Sequence, residues 1–140
     1  MSLTHEFAVI EKGSNINCID KSMDMVVVSD KVILYIKDSL DWIDTYWNGK
    51  TKRNKGLNYY GYTKIRGQDI EKLKNILDAW IMLFDAAPEQ FILKGDYLIE
   101  ENEYERDLYS KSELLQQLQS LRDMCIDAMN HDMDILHEGI

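Results

Sequence analysis

The side chains best suited to catalysis or metal binding are few in this sequence and lie far apart. The cysteines are Cys18 and Cys125, and neither belongs to a CxxC pair or has a histidine at zinc-ligand spacing. We expect both thiols to be free, because reduced cysteines are the rule in the cytosol. Of the histidines, His5 lies near an end of the chain that we expect to fray.

The other histidines, His131 and His137, stand among the carboxylates of the C-terminal segment, which are Asp132, Asp134 and Glu138. Imidazole and carboxylate groups together can bind several divalent cations. Their spacing here matches no established metal motif, so the sequence predicts neither a metal site nor any other cofactor.

Motifs of nucleophilic catalysis and of phosphate binding are also missing from the sequence. It contains no GxSxG, no GxGxxG and no GxxxxGK[ST]. Neighbouring carboxylates such as Glu100 and Glu101 are common in any acidic protein and do not by themselves indicate glycosidase chemistry. We therefore expect a protein that acts by binding and is not an enzyme.

Charge is distributed unevenly along the chain, which has a formal net charge of −9. Residues 1–84 hold 12 basic and 11 acidic residues, whereas residues 85–140 hold 4 basic and 14 acidic ones. An acidic field of this kind repels nucleic acids and membrane surfaces and attracts basic partners. The simpler interpretation is that the charge only keeps the protein soluble.

The densest acidic segment, 100–107, has tyrosines within and beside it. Tyrosine provides contact area at low entropic cost, and carboxylates steer a cationic partner towards the surface. The candidate partner-binding residues are Glu100, Glu101, Glu103, Tyr104, Glu105 and Asp107. An edge strand protected from aggregation by its charges is an equally good interpretation.

A second acidic group consists of Asp38, Asp41 and Asp44, which recur at steps of three. On a helix, this spacing would place the three carboxylates along one side. They form a second candidate surface for a basic protein domain.

The most basic segment, Lys50–Arg66, combines six basic residues with three tyrosines. Such a mixture can bind single-stranded nucleic acid weakly, through phosphate contacts and base stacking. The net charge and the lack of any nucleic-acid-binding motif favour a solvated loop that leads into a strand. We expect no nucleic-acid partner.

Hydrophobic periodicity predicts strands over 6–10 and 23–28, followed by a helix over about 30–48. The helix prediction depends on apolar residues at three- and four-residue steps: Ile33, Ile36, Leu40, Ile43 and Trp47. A further strand is predicted over 57–65, where tyrosines and β-branched residues are frequent.

The second half of the chain contains two longer helical patterns. The first begins at Gln68 or Asp69 and extends to Phe84, with an apolar arc so broad that we expect this helix to be central in the core. The second begins at Ser110, where Glu113 completes a capping box. Their stripes should pack together: Leu73, Leu77, Trp80 and Phe84 against Leu114, Leu118, Leu121 and Cys125.

Between these helices, residues 90–108 predict a hairpin that turns at Lys94-Gly95-Asp96, although its acidic part could also be helical. The pattern leaves open whether the segment from Asn130 onwards docks. Together the elements predict one α+β domain, 1–140, with three main helices packed with a small antiparallel sheet or hairpins. Its apolar runs are far shorter than the roughly 20 residues of a membrane span, and no signal peptide is evident, so we expect a cytoplasmic protein without a membrane partner.

The C-terminal block YSKSELLQQLQSLRDMCIDAMNHDMDILHEGI resembles the last helix and tail of small bacterial immunity proteins, the inhibitors of contact-dependent and other polymorphic toxins. The small size of the chain and its uneven distribution of acidic residues add to the resemblance. The similar block covers about the final quarter of the chain, and it identifies no site residue. The resemblance implies binding to a cognate toxin, often a nuclease with a basic groove. The alternatives are an adaptor for a basic cellular protein and a weak nucleic-acid binder.

Overall fold

The computed structural model describes residues 3–140. It shows the α+β fold that the sequence predicts, with antiparallel strands and three helices in that range. The helices are α1 (Asp30–Leu40), α2 (Gln68–Asp85) and α3 (Lys111–Asn130). The strands are β1 (Thr4–Ile10), β2 (Met25–Ser29), β3 (Asp44–Trp47), β4 (Arg53–Lys55), β5 (Tyr62–Ile65), β6 (Gln90–Leu98), β7 (Glu103–Ser110) and β8 (Asp134–Glu138).

Six of these strands form one antiparallel sheet in the order β2-β1-β8-β5-β3-β4. The C-terminal segment therefore docks, as β8, in the interior of the sheet. His137 of β8 lies opposite Phe7 of β1 on one side and Thr63 of β5 on the other. The remaining strands, β6 and β7, pair only with each other and form a separate hairpin.

The hydrophobic core lies between the helices and one face of this sheet. Phe7, Ile65 and Ile135 project from that face into the same buried cluster as the stripes of α2 and α3. These two helices pack along each other, as predicted, and Leu118 at their contact is completely buried. Ser110 caps the start of α3, as predicted, because its side chain accepts a hydrogen bond of 3.5 Å from the backbone N–H of Glu113.

The opposite face of the sheet is covered by the 11–24 segment that connects β1 to β2. The Gly13 N–H donates to Asp134 Oδ2 over 3.0 Å, and Lys64 Nζ donates to the Ser14 carbonyl over 2.5 Å. Under this cover Ala8 and Leu136 are fully buried. Burial lowers the pKa of Lys64, whose ammonium group nevertheless keeps a hydrogen-bond partner.

The predicted first helix is wrong in its second half, because α1 ends at Leu40 and not near residue 48. The Trp42 N–H bonds the Ser39 carbonyl, which tightens the chain into a turn that leads into β3. Ile43 is buried at this corner, so it fits the helical spacing without belonging to the helix. The aromatic and β-branched residues that follow favour a strand.

The predicted strand at 57–65 is also shorter, since only Tyr62–Ile65 forms β5. The basic loop before it contributes β4. The hairpin prediction is confirmed, but its turn lies at residues 99–102, where Asn102 adopts a positive φ of 52°. Gly95 and Asp96 lie at an irregularity of β6, where the register shifts between Lys94 and Tyr97.

Candidate protein-binding surfaces

The β6–β7 hairpin divides its side chains between an inner and an outer face. Successive residues of a strand point to opposite sides. Phe91, Leu93 and Tyr109 point inwards and join the core, and the α1 helix contacts β6 on this side. The hairpin is thus attached to the body along its inner face.

Two of the predicted partner-binding acids, Glu105 and Asp107, lie on this inner face. Glu105 Oε1 is 2.6 Å from Lys31 Nζ of α1, and Asp107 Oδ2 is 3.7 Å from the same nitrogen. The hydrogen bond that Lys31 donates to Glu105 raises the pKa of the Lys31 ammonium group. These two carboxylates attach the hairpin to α1. They therefore differ in role from the other acids of the segment, which have no such contact in the described part of the chain.

The tip of the hairpin carries the other predicted acids, Glu100, Glu101 and Glu103, all exposed. Between residues 3 and 140, no cation lies within ion-pair distance of any of the three. Ile99, 85% exposed, stands beside them at the turn. We call Ile99, Glu100, Glu101 and Glu103 the acidic tip; it presents carboxylates around one apolar side chain.

The outer face of the hairpin has a different character. Its cross-strand pairs are Ile92 with Leu108, Lys94 with Arg106, and Tyr97 with Tyr104. The Lys94 ammonium group lies 3.7 Å from the centre of the Tyr104 ring. Tyr104 is therefore separated from the inner-facing acids and belongs to an apolar and cationic surface. Strict alternation along β7 would have revealed this division from the sequence.

The second predicted group of acids is also divided, because Asp38, Asp41 and Asp44 do not share a helix. Asp38 is exposed on α1, Asp41 follows the last turn of that helix, and Asp44 begins β3. Asp41 pairs with Lys37 over 3.1 Å, and Asp44 pairs with Lys55. Asp38 alone remains exposed without an ion-pair partner in the described part of the chain.

An apolar groove that sequence reasoning missed lies between the end of α1 and the outer side of α2. It has a volume of about 270 Å³ and is lined by Ser39, Trp42, Ile76, Ala79, Trp80 and Leu83. Trp42 and Leu83 are 62% and 60% exposed. The helix α2 is central in the core, as expected, but part of its broad apolar arc lines this surface groove.

A chain of buried hydrogen bonds joins His5, His137 and Asp30. His5 Nε2 lies 3.0 Å from Asp30 Oδ1, and His5 Nδ1 lies 2.8 Å from His137 Nε2. His137 Nδ1 in turn is 3.1 Å from Thr63 Oγ1. With both imidazoles neutral, every group in this chain can have a matching donor or acceptor.

Burial has the largest effect on the pKa values of the two histidines in this network of hydrogen bonds. It lowers the pKa of His137 to about 3, with a further contribution from His5, and it lowers the pKa of His5 against the opposing effect of Asp30. The expectation that His5 lies in a frayed end is wrong, because it is fully buried in β1. We regard this network of hydrogen bonds as part of the structural core.

The basic segment Lys50–Arg66 is partly used inside the fold. Lys55 and Lys64 have the partners described above, and Arg66 Nε lies 3.3 Å from Asp134 Oδ2. Tyr59 packs against His5 with 5.3 Å between ring centres. Arg53 is hydrogen-bonded to Tyr46. Four of the six cations thus have intramolecular roles, which supports the interpretation as ordinary folded structure.

Both cysteines are free, as predicted: Cys18 is exposed and Cys125 is buried, where desolvation raises the pKa of its thiol to about 12. His131 and His137 are not brought together, since His131 is exposed and lies beside Asp127. Among residues 3–140 no three His, Cys, Asp or Glu side chains are grouped to hold a metal ion. In the same range, every helix is too short or too polar to cross a bilayer.

Comparison of the chain with protein-family models, with curated proteins and with solved structures finds no significant match.

Proposed function

We propose that the protein binds and neutralises a basic protein domain in the cytoplasm, as an immunity protein does with its cognate toxin. The observation that supports this most is the acidic tip. Its three carboxylates are exposed at the turn of a hairpin whose two strands pair only with each other. A cationic surface, such as the substrate groove of a nuclease, is the natural complement of this arrangement.

The physical argument starts from the position of these charges. Exposed carboxylates contribute little to the stability of a fold, so their clustering at the tip is not explained by folding energetics. Ile99 adds an apolar side chain that an opposing protein surface can bury. Charge at the edge of an interface mainly raises the association rate, whereas buried apolar contacts slow dissociation.

The first experiment identifies the partner by affinity purification from the native host and then measures binding kinetics. Reversal of the tip through Glu100→Lys, Glu101→Lys and Glu103→Lys should lower the association rate by about tenfold at low salt. The difference should shrink as salt rises, because exposed charges are screened. Inhibition of the partner's activity by the unaltered protein tests neutralisation directly.

A matched control makes the same change of net charge elsewhere, through Glu11→Lys, Asp24→Lys and Glu89→Lys. These residues are exposed and lie outside the tip. Equal slowing by both triple variants would show that only the overall charge matters. An unchanged association rate in the tip variant would rule out the tip as the recognition element.

A further inference from the structure

The two edges of the six-stranded sheet differ in how they are protected. At one edge, β4 is three residues long and carries Arg53 and Lys55. Short and charged edges of this kind discourage the addition of a further strand. At the other edge, β2 has the sequence MVVVS, which contains no charge and no proline, and in the described part of the chain it pairs with β1 alone. The β2 edge thus lacks the protection that β4 has.

The hydrogen bonds around β2 show which of its backbone groups face outwards. The Ser29 N–H donates to Gln117 Oε1 of α3 over 2.9 Å, so it points away from β1. In an antiparallel pair, successive residues alternate between facing the neighbouring strand and facing away from it. The register from Met25 to Ser29 is regular. Met25 and Val27 therefore also direct their N–H and C=O groups towards the open edge.

A groove of about 330 Å³ runs beside this edge, between β2 and α3. The helix lines it with the polar side chains of Gln116, Gln117 and Ser120, and the strand lines it with residues 25–27. The side chain of Val27 points to the face of the sheet opposite α3 and is 42% exposed. An added strand would meet amides and a hydroxyl on one side and a β-branched apolar neighbour on the other.

A second copy of this chain fits the edge poorly. The helix α3 contacts β2 more extensively than any other strand. Antiparallel pairing of β2 with its own copy would place the two strands about 4.8 Å apart and bring both α3 helices to the junction, whereas packed helices need about 8–10 Å between their axes. Five-residue strands would also bury far less than the roughly 1,200 Å² of a stable interface. A strand from another protein brings no helix into this space.

We infer that the β2 edge accepts an extended segment of the protein partner as a seventh strand of the sheet. The outward backbone groups of Met25 and Val27 require an extended main chain as their complement. The polar wall of α3 favours hydroxyl or amide side chains at alternate positions of that segment. The inference rests on the proposed function and adds to it a second contact, which recognises an exposed strand or extended loop of the partner.

The test uses the full chain and a synthetic peptide of alternating valine and threonine, N-methylated at every second residue. The methyl groups stop the peptide from pairing with itself along one edge and leave its other edge free to pair with β2. Binding should shift the backbone N–H signals of Met25 and Val27 in NMR spectra and slow their hydrogen exchange. The N–H groups of Val26 and Val28 face β1 and should exchange slowly with or without the peptide.

Three controls show whether backbone hydrogen bonds hold the peptide. A peptide methylated at every residue has no donors and should bind about tenfold more weakly. Val27→Pro removes the N–H that points away from β1 and should weaken binding to a similar extent. Val27→Thr keeps the N–H and the β-branched shape and should leave the affinity unchanged. Circular dichroism on each variant checks that the fold is retained.

The inference is wrong if the half-methylated peptide fails to bind, if the fully methylated peptide binds equally well, or if Val27→Pro has no effect. A dimer in sedimentation that Val27→Pro dissociates would overturn it in favour of a second copy of this chain. Hydrogen exchange in the complex with the partner purified from the host separates the inference from the proposed function. Neutralisation with Met25 and Val27 still exchanging freely would uphold the proposed function and reject the edge. Peptide binding at the edge of a chain that neutralises no partner would uphold the edge as a strand acceptor and reject the proposed function.

Discussion

The six-stranded sheet and the β6–β7 hairpin each pack one face against the core, and they differ in whether the other face is covered. The outer face of the sheet carries charged residues, and the 11–24 segment covers them and supplies partners to Asp134 and Lys64. The outer face of the hairpin carries Ile92 and Leu108 in the open. The second face of the sheet is thus used within the fold, whereas the second face of the hairpin is left to solvent.

The sharpest test of this comparison removes a leucine from each region. Leu118→Ala should lower the free energy of unfolding by about 2–5 kcal/mol, because it leaves a cavity between α2 and α3. Leu108→Ala should change it by less than about 0.5 kcal/mol, since its side chain is already in solvent. Urea titration of both variants gives the two values. Similar losses would show that the hairpin is as much a part of the core as the helices.

The second prediction concerns pH and the buried histidines of the sheet. His137 has a folded-state pKa of about 3, below the ordinary value of 6.5. The unfolded chain therefore takes up a proton first, and stability should fall as pH decreases from 6.5 towards 3. The slope from this residue is about 1.4 kcal/mol per pH unit.

Urea titrations between pH 7 and pH 4 measure the total slope, to which His5 also contributes because burial lowers its pKa as well. Replacement of the exposed His131 by glutamine should leave it unchanged, because His131 lies outside the buried chain of hydrogen bonds. The imidazole signals of His137 in NMR spectra provide an independent measurement. Protonation of folded His137 above pH 5 would contradict the prediction.

The smallest expected effect concerns the attachment of the hairpin. Lys31→Met removes the ion pairs with Glu105 and Asp107 and should cost at most about 1 kcal/mol, because the three groups are about one-third exposed. Hydrogen exchange should quicken in β7 and stay unchanged in β8. Lys37→Met, which removes the pair with Asp41, is the matched control and should leave β7 exchange unaltered.

Sequence periodicity predicts those parts of the fold that depend on local pattern. The two long helices α2 and α3 and the N-cap at Ser110 are of this kind, and these predictions are confirmed. Trp80 of the predicted α2 stripe instead donates to Ser39 at the end of α1. The end of α1 cannot be predicted from local pattern, because a buried Ile43 fits either a continued helix or a turn into a strand. Its conformation is decided by the pairing of β3 with strands that come later in the chain.

The candidate surfaces show the same limit. The acidic segment is evident from composition, and alternation along β7 assigns its two faces, yet the ion pairs of Glu105 and Asp107 depend on the contact with Lys31 of α1. The apolar groove requires two helices to be placed side by side before Trp42 and Leu83 meet. Position along the chain alone contains neither fact.

The place of β8 in the sheet has a consequence for how the chain folds during synthesis. β1 and β5 both pair with β8, and neither pairs with the other. Until residues 134–138 have left the ribosome, the β1–β2 pair and the β5–β3–β4 group remain two separate fragments with unpaired edges. Joining them requires contacts across almost the whole sequence, a topology that slows folding and lengthens exposure of the strand edges to aggregation.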